Sequence, residues 1–237
     1  MQRGEETLHD DSWVTCVPAP PHSPPALGYP SPVPAVDLVA SADRWLVEVV
    51  AGMRAAPLTA VMTLLSAWWV KGLVFAGVGT AADLRARPRR LPATPLLAGA
   101  ALLAASLASS ALKDVFGRLR PPLAHDSLTA LVSLPADSSF PSGHATGAFA
   151  AAGVVAALHP RLRAPVLALA CLVAFSRVYL GVHYPTDVVA GAALGLAIAA
   201  VAVGLARRMG AAPALPTPFT RVTLGARMRA WRSSPST

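Results

Sequence analysis

Cysteine and charge are what this 237-residue chain has least of. Its two cysteines, Cys16 in a Pro-rich leader and Cys171 inside an apolar run, form neither a disulfide framework nor a zinc-type spacing. Charged residues make up 14% of the chain against 54% hydrophobic, a balance that argues against a soluble domain and for a membrane protein. Acidic residues are also in the minority, leaving a net charge of +8. The basic residues, almost all arginine, gather at the ends of apolar runs and do not interleave with aromatics, so no nucleic-acid partner is expected. Nor is there a basic segment followed by a short apolar one at the start. Residues 1–35, with "PAPPHSPPALGYPSPVPA", therefore read as a flexible arm, neither signal peptide nor span.

What is present is a series of apolar runs. Between Val36 and Arg54, Asp37, Ser41, Arg44 and Glu48 follow one helical stripe and Leu38, Trp45, Val49 and Met53 another, as in an amphipathic helix lying on a membrane surface. Five runs follow, at about 58–80, 94–112, 143–158, 163–180 and 186–206. A span needs roughly 20 residues, and the third run is short. The expected fold is all-α: a polytopic membrane helix bundle of about five transmembrane helices plus the N-terminal surface helix. Lys71, inside the first run, is expected to snorkel toward its basic end.

Arg85, Arg87, Arg89, Arg90, Arg161, Arg163, Arg207 and Arg208 all fall on one face of this alternating topology, which the positive-inside rule makes cytoplasmic. The expected organisation is a leader (1–35), a membrane domain (36–206) and a basic cytoplasmic tail (207–237). The end of the tail, "TRVTLGARMRAWR", suits a segment resting on anionic lipid and equally a disordered one. The protein is expected in the cell membrane, as a multi-pass chain, with its chemistry on the extracytoplasmic face.

Three polar stretches adjoin the external ends of spans: "LKDVFGRLRPP", "FPSGHA" and "FSRVYLGVHYPTD". A bundle brings such ends together, so Lys113, Arg120, Ser142, His144, Arg177, His183 and Asp187 can share one pocket. Basic residues on the face that the positive-inside rule depletes call for an anion; Lys113, Arg118 and Arg120 qualify, and headgroup contact suits Arg118 as well. Ser142 is placed to cap a helix, whose free amides, with Gly143 in the first turn, can also approach a phosphate. Tyr184-Pro185 starts the last helix, leaving His183 outside it and Asp187 in its first turn. Asp187 can serve the helix dipole or accept a bond from His183 Nδ1, freeing Nε2 to attack.

These residues read Lys113 with Arg120-Pro121, Pro141-Ser142-Gly143-His144, and Ser176-Arg177 with His183 and Asp187. Over about residues 36–206 the chain resembles the type 2 phosphatidic acid phosphatase superfamily of membrane lipid-phosphate phosphatases, with signatures K-x6-R-P, P-S-G-H and S-R-x5-H-x3-D. Members often have six spans; here a surface helix stands where a first span is expected. The resemblance implies that His183 is a nucleophile carrying a phosphohistidine, Asp187 orients it, and His144 protonates the leaving oxygen and then activates water. It implies that Lys113, Arg120, Arg177 and the Ser142 and Gly143 amides hold the phosphoryl group. No metal or other cofactor is expected, since the nearby carboxylates form no convincing Mg²⁺ cage. The expected substrate is a lipid phosphate: a polyprenyl diphosphate, phosphatidic acid or phosphatidylglycerophosphate. The first is favoured if the chain is bacterial. A lipid phosphotransferase, a vanadium-dependent haloperoxidase and a silent binder of lipid phosphates are the competing expectations, and no oligomeric state follows from the sequence.

Overall fold

The computed structural model describes residues 34–86 and 92–210, and all regular structure among them is helical. Most of the leader, Arg87, Arg89, Arg90 and the basic tail beyond Gly210 lie outside the described residues. The helices are α1 (Pro34–Gly52), α2 (Ala56–Leu65), α3 (Phe75–Ala86), α4 (Ala93–Phe116), α5 (Pro121–Ala124), α6 (Gly143–Leu158), α7 (Arg163–Tyr179) and α8 (Pro185–Arg208).

The long helices are built for lipid, with small residues inside and large ones outside. Along α4 the buried positions Ala98, Ala101, Ala105, Ser109 and Lys113 recur every three or four residues, whereas Leu96, Leu103 and Leu107 are exposed. When the solvent is as apolar as leucine, burying leucine gains little, and close packing of small residues holds the helices together. Among the described residues, three helical stretches can cross a membrane by length and composition, one each around α4, α7 and α8, or four if the bent pair α2 and α3 counts as one. The remaining one of the five expected runs, α6, is too short to enter this count. Sixteen-residue α6 is shorter than a span requires. It occupies the centre of the bundle, with eleven of its residues buried, so protein surrounds it where lipid would otherwise have to.

The first apolar run is not one straight helix. It breaks after α2 and resumes through a π-helical turn, Val70–Val74, into α3, with a bend of 64° between the two parts. Lys71 sits on that turn. Its stem lies against α6, where Lys71 Cδ would stand 3.3 Å from a Cβ at Gly147, so the expected snorkelling toward the basic end is corrected.

Helices α6 and α8 approach so closely that a side chain cannot fit between them. A Cβ at Gly195 would lie 2.3 Å from the Thr146 carbonyl oxygen and 2.9 Å from the Ala150 nitrogen, and one at Gly191 would lie 2.7 Å from the Ser142 carbonyl oxygen. Backbone cannot yield as a flexible side chain does. Gly195→Ala is therefore expected to lower stability by about 1–3 kcal/mol, read as thermal unfolding in detergent. Gly204→Ala on the same helix meets nothing within 4 Å and serves as the control, with a change of about 0.5 kcal/mol or less.

Helix α1 packs Asp43 and Val47 against the bundle and leaves Leu38, Trp45 and Val49 exposed, as is Met53 just beyond its end. An exposed Arg44–Glu48 pair lies between these faces. The expected apolar stripe is present, but the residues that dock the helix belong to a third face.

Candidate active site

The motif residues meet at one end of the bundle because each ends or begins a helix there. Lys113 lies in the last turn of α4, Arg177 in the last turn of α7, Ser142 at the start of α6, and Tyr184 at the start of α8. The segment from Gly117 to Pro141 folds back over them. It is tied down by Ser139 N–H to the Arg118 carbonyl (2.8 Å), Leu131 N–H to the Leu180 carbonyl (2.9 Å) and the packed rings of Phe116 and Phe140.

His183 is 2% exposed, and each ring nitrogen faces different chemistry. Nε2 is 3.3 Å from Arg120 Nη1. Nδ1 is 3.5 Å from Asp187 Oδ2 and 3.4 Å from the Ser139 hydroxyl. Asp187 is fully buried and held from several directions: Ser139 Oγ donates to Oδ2, Tyr184 N–H donates to Oδ2 at 2.8 Å, and Arg118 Nη1 donates to Oδ1 at 2.6 Å. A carboxylate so fixed can dictate which imidazole nitrogen carries the proton.

Arg120 is 1% exposed and tied to loop and turn. It donates to the Val182 carbonyl (2.8 Å), the Asp137 carbonyl (3.1 Å) and Asp137 Oδ1 (2.6 Å). Asp137 Oδ2 accepts from Lys113 Nζ at 2.5 Å. Burial works to raise the Asp137 carboxyl, but the hydrogen bonds and charges of Lys113 and Arg120 outweigh it and hold the group below the usual carboxylate range. Among the described residues Arg177 has no ion-pair partner; Nη1 donates to the Ser66 hydroxyl, and its buried Nε has no hydrogen-bond partner among them.

Ser142 occupies the cap position of α6, but its hydroxyl makes no capping bond and is buried without a partner. The expected side-chain cap is thus corrected. What the residue does supply is backbone: its N–H donates to the Asp187 carbonyl at 3.0 Å, joining the second motif to the third. Gly143 and His144 are the partly exposed start of an otherwise buried stretch, and His144 lies within electrostatic reach of Arg177, Lys71 and His183.

Arg118 does not stand free for an anion, as one expectation had it. It bridges Asp187 and Asp43, the latter at 2.7 Å, and its guanidinium lies 4.1 Å from the centre of the Tyr184 ring. Thr186 N–H donates to Asp43 Oδ1 at 3.0 Å, so α1 is latched to the start of α8. The sequence reading passed over Asp43, Ser66, Asp137 and Ser139. Only Asp137 and Ser139 carried a usable signal, as polar residues just ahead of Pro141-Ser142-Gly143-His144.

Burial pushes the His183 imidazole down to about 4, with Arg120 and Arg177 acting in the same direction and the Asp187 hydrogen bond opposing them. The ring is therefore neutral at physiological pH. Between the unfolded value near 6.5 and about 4, the unfolded chain binds the extra proton, so stability rises with pH across that window and is lost as pH falls through it. Thermal unfolding in detergent is expected to occur at progressively lower temperature from pH 6.5 to 4. His183→Gln should flatten that decline.

The PAP2 superfamily model matches residues 94–209. The lipid A 1-phosphatase of Rhizobium etli is 45% identical over 95 residues, 38% of this chain and 40% of that protein. The decaprenylphosphoryl-5-phosphoribose phosphatase of Mycobacterium tuberculosis is 40% identical over 106 residues, 45% of this chain and 58% of that one. The match thus spans about half the length of these relatives. Among solved structures, a transmembrane PAP2 type phosphatidylglycerolphosphate phosphatase from Bacillus subtilis superposes with a TM-score of 0.60 at 28% identity, covering 75% of this chain and 89% of its own. Residues 94–209, where all three motifs fall, thus match the PAP2 superfamily.

Proposed function

We propose that the protein hydrolyses a lipid phosphate through a phosphohistidine on His183. The observation that carries this reading is the buried His183, with Nε2 beside Arg120, Nδ1 toward Asp187, and His144 within electrostatic reach. Nε2 attacks phosphorus in line with the lipid oxygen, whose bond to phosphorus breaks as His144 delivers a proton to it. Water then attacks the phosphohistidine with His144 taking its proton, which frees inorganic phosphate and restores both rings. Lys113, Arg120, Arg177 and the Gly143 amide neutralise the phosphoryl oxygens, while the Ser142 N–H, engaged by the Asp187 carbonyl, holds the start of α6 in place; positioning and charge account for most of the catalysis such a reaction needs.

Both nearby carboxylates are already engaged, Asp187 by Arg118, Ser139 and Tyr184, and Asp137 by Lys113 and Arg120. This supports a metal-independent route. A silent binder of lipid phosphates would need the cations but not a buried imidazole oriented by a carboxylate.

We place the catalytic domain at residues 36–206, between the leader and the basic tail, with the site on the extracytoplasmic face of the cell membrane. Arg85 at the end of α3, Arg161 just before α7, Arg163 at its start, and Arg207 and Arg208 at the end of α8 lie at the helix ends opposite the site, and basic residues favour the cytoplasm. The exposed Trp45 and Val49 of α1, and Met53 just beyond it, then rest in the interface. The substrate keeps its lipid part in the bilayer and its phosphate at headgroup level, as a polyprenyl diphosphate, phosphatidic acid or phosphatidylglycerophosphate would. The test is phosphate release by the detergent-solubilised protein from those lipids and from soluble phosphate esters, with and without EDTA. Release from lipid phosphates that survives EDTA and is inhibited by vanadate supports the proposal; activity lost in EDTA and restored by Mg²⁺ overturns the metal-free route.

A further inference from the structure

Asp43 is the acid of α1 that the bundle buries, at 2% exposure. It lies outside residues 94–209 and belongs to none of the three motifs. Its contacts nevertheless lead to His183 and Asp187. Oδ2 accepts from Arg118 Nη2 at 2.7 Å and from the Thr186 hydroxyl, and Oδ1 accepts from Thr186 N–H at 3.0 Å. The other arm of the guanidinium, Nη1, donates to Asp187 Oδ1 at 2.6 Å and to Thr186 Oγ1 at 2.7 Å. Asp187 thus gives one oxygen to Arg118 and turns the other, Oδ2, toward His183 Nδ1.

Charge decides what Asp43 adds. The charged groups linked in sequence to Nδ1 are Asp187, Arg118 and Asp43. The first two cancel; with Asp43 the group is net negative, and Arg44 on the same helix is engaged by Glu48. That balance matters because burial, Arg120 and Arg177 all oppose a positive ring and hold His183 at about 4. In the proposed reaction Nε2 bonds to phosphorus while Nδ1 keeps its proton, so the ring becomes cationic. The electrons of the broken P–O bond leave with the lipid oxygen, which takes its proton from His144. Negative charge behind Nδ1 stabilises the forming cation more than it stabilises the neutral ring.

We propose that Asp43 is a positioning residue of the phosphatase reaction, holding Arg118 so that Asp187 keeps Oδ2 on His183 and the ring can become cationic. This rests on the phosphohistidine reading above and extends the site to the surface helix α1. Docking of α1 does not depend on Asp43 alone. Val47 is buried with Leu128, Val178 and Tyr184, and Arg54, just past the helix, donates to the Thr129 carbonyl at 2.9 Å and the Tyr179 carbonyl at 3.2 Å. Asparagine, with the shape of aspartate, therefore removes the charge and leaves the helix in place.

The experiment compares the natural protein, Asp43→Asn and Glu48→Gln as full chains in detergent, by phosphate release from farnesyl diphosphate and from phosphatidic acid. Glu48→Gln removes a charge of the same sign from an exposed position on the same helix. Asp43→Asn is expected to lower kcat about 10- to 100-fold with KM changed less than about threefold, and Glu48→Gln to change neither by more than about twofold. A second readout needs no turnover. Vanadate on an imidazole nitrogen imitates five-coordinate phosphorus, so it should raise the unfolding temperature of the natural protein more than inorganic phosphate does. Asp43→Asn should lose most of that difference and keep the shift that phosphate gives. Unchanged kcat in Asp43→Asn, a loss confined to KM, or loss of the phosphate shift together with the vanadate shift overturns the proposal and leaves the phosphatase reading standing. Absence of hydrolysis by the natural protein is a separate result, which overturns the phosphatase reading and this proposal with it.

Discussion

Replacing His183 with alanine is expected to lower phosphate release from lipid phosphates by a factor on the order of 10⁴ or more, because it removes the atom to which the phosphoryl group is bound in the first step. Lipid binding should survive, since Lys113, Arg177 and the start of α6 are untouched. The side chain is 2% exposed and accompanies Arg120, Ser139 and Asp187, so alanine leaves a cavity and a less supported acid. His183→Gln fills most of that volume and still offers a donor or acceptor, yet cannot carry a phosphoryl group through the cycle. Both variants should be inactive while the glutamine protein unfolds cooperatively in detergent. Substantial turnover by either one would remove His183 from the nucleophile's place.

Asp187→Asn is expected to cost about 10³- to 10⁴-fold in kcat, with a much smaller change in KM. The amide has nearly the shape of the carboxylate and can still accept the Tyr184 N–H. It cannot answer the charge of Arg118 at 2.6 Å, accept from Ser139 and face His183 Nδ1 in the same way. The imidazole then loses its fixed tautomer, and Arg118 is left with Asp43 as its carboxylate. The split between kcat and KM is diagnostic. A rise in KM with kcat kept would make Asp187 a substrate-binding residue instead.

Much of the site was legible in the sequence because its residues are tied to helix ends, and helix ends have local chemistry. Pro185 does begin the last helix with Tyr184 before it, which leaves His183 in the turn and Asp187 in the first turn as the spacing requires. Gly117, with a φ of 57°, ends α4 just after Lys113 and releases the chain toward Arg120. What the sequence hid is what depends on packing between distant segments. Arg118 looks like an anion ligand until α1 delivers Asp43 to it, and the polar stripe read on α1 omitted that residue because its partners sit about 75 and 143 positions away.

The first apolar run was hidden for the opposite reason. Nothing in its composition marks a break: no proline interrupts it after Pro57, and the glycines scattered along it are common in membrane helices. The bend is nevertheless what turns Lys71 inward. The 16 residues of α6 read as a short span by hydropathy alone, and their place at the centre of the bundle depends on packing that hydropathy does not carry.

The central claim is that phosphate leaves the lipid by way of His183. Its most direct test is rapid acid-free quenching of the solubilised protein during turnover of a ³²P-labelled lipid phosphate, followed by peptide mapping. The account predicts label on the peptide bearing His183, stable in base, labile in acid, and absent from His183→Gln. Label that accumulates on another residue, or active turnover with none on His183 under conditions that trap the intermediate, would contradict it.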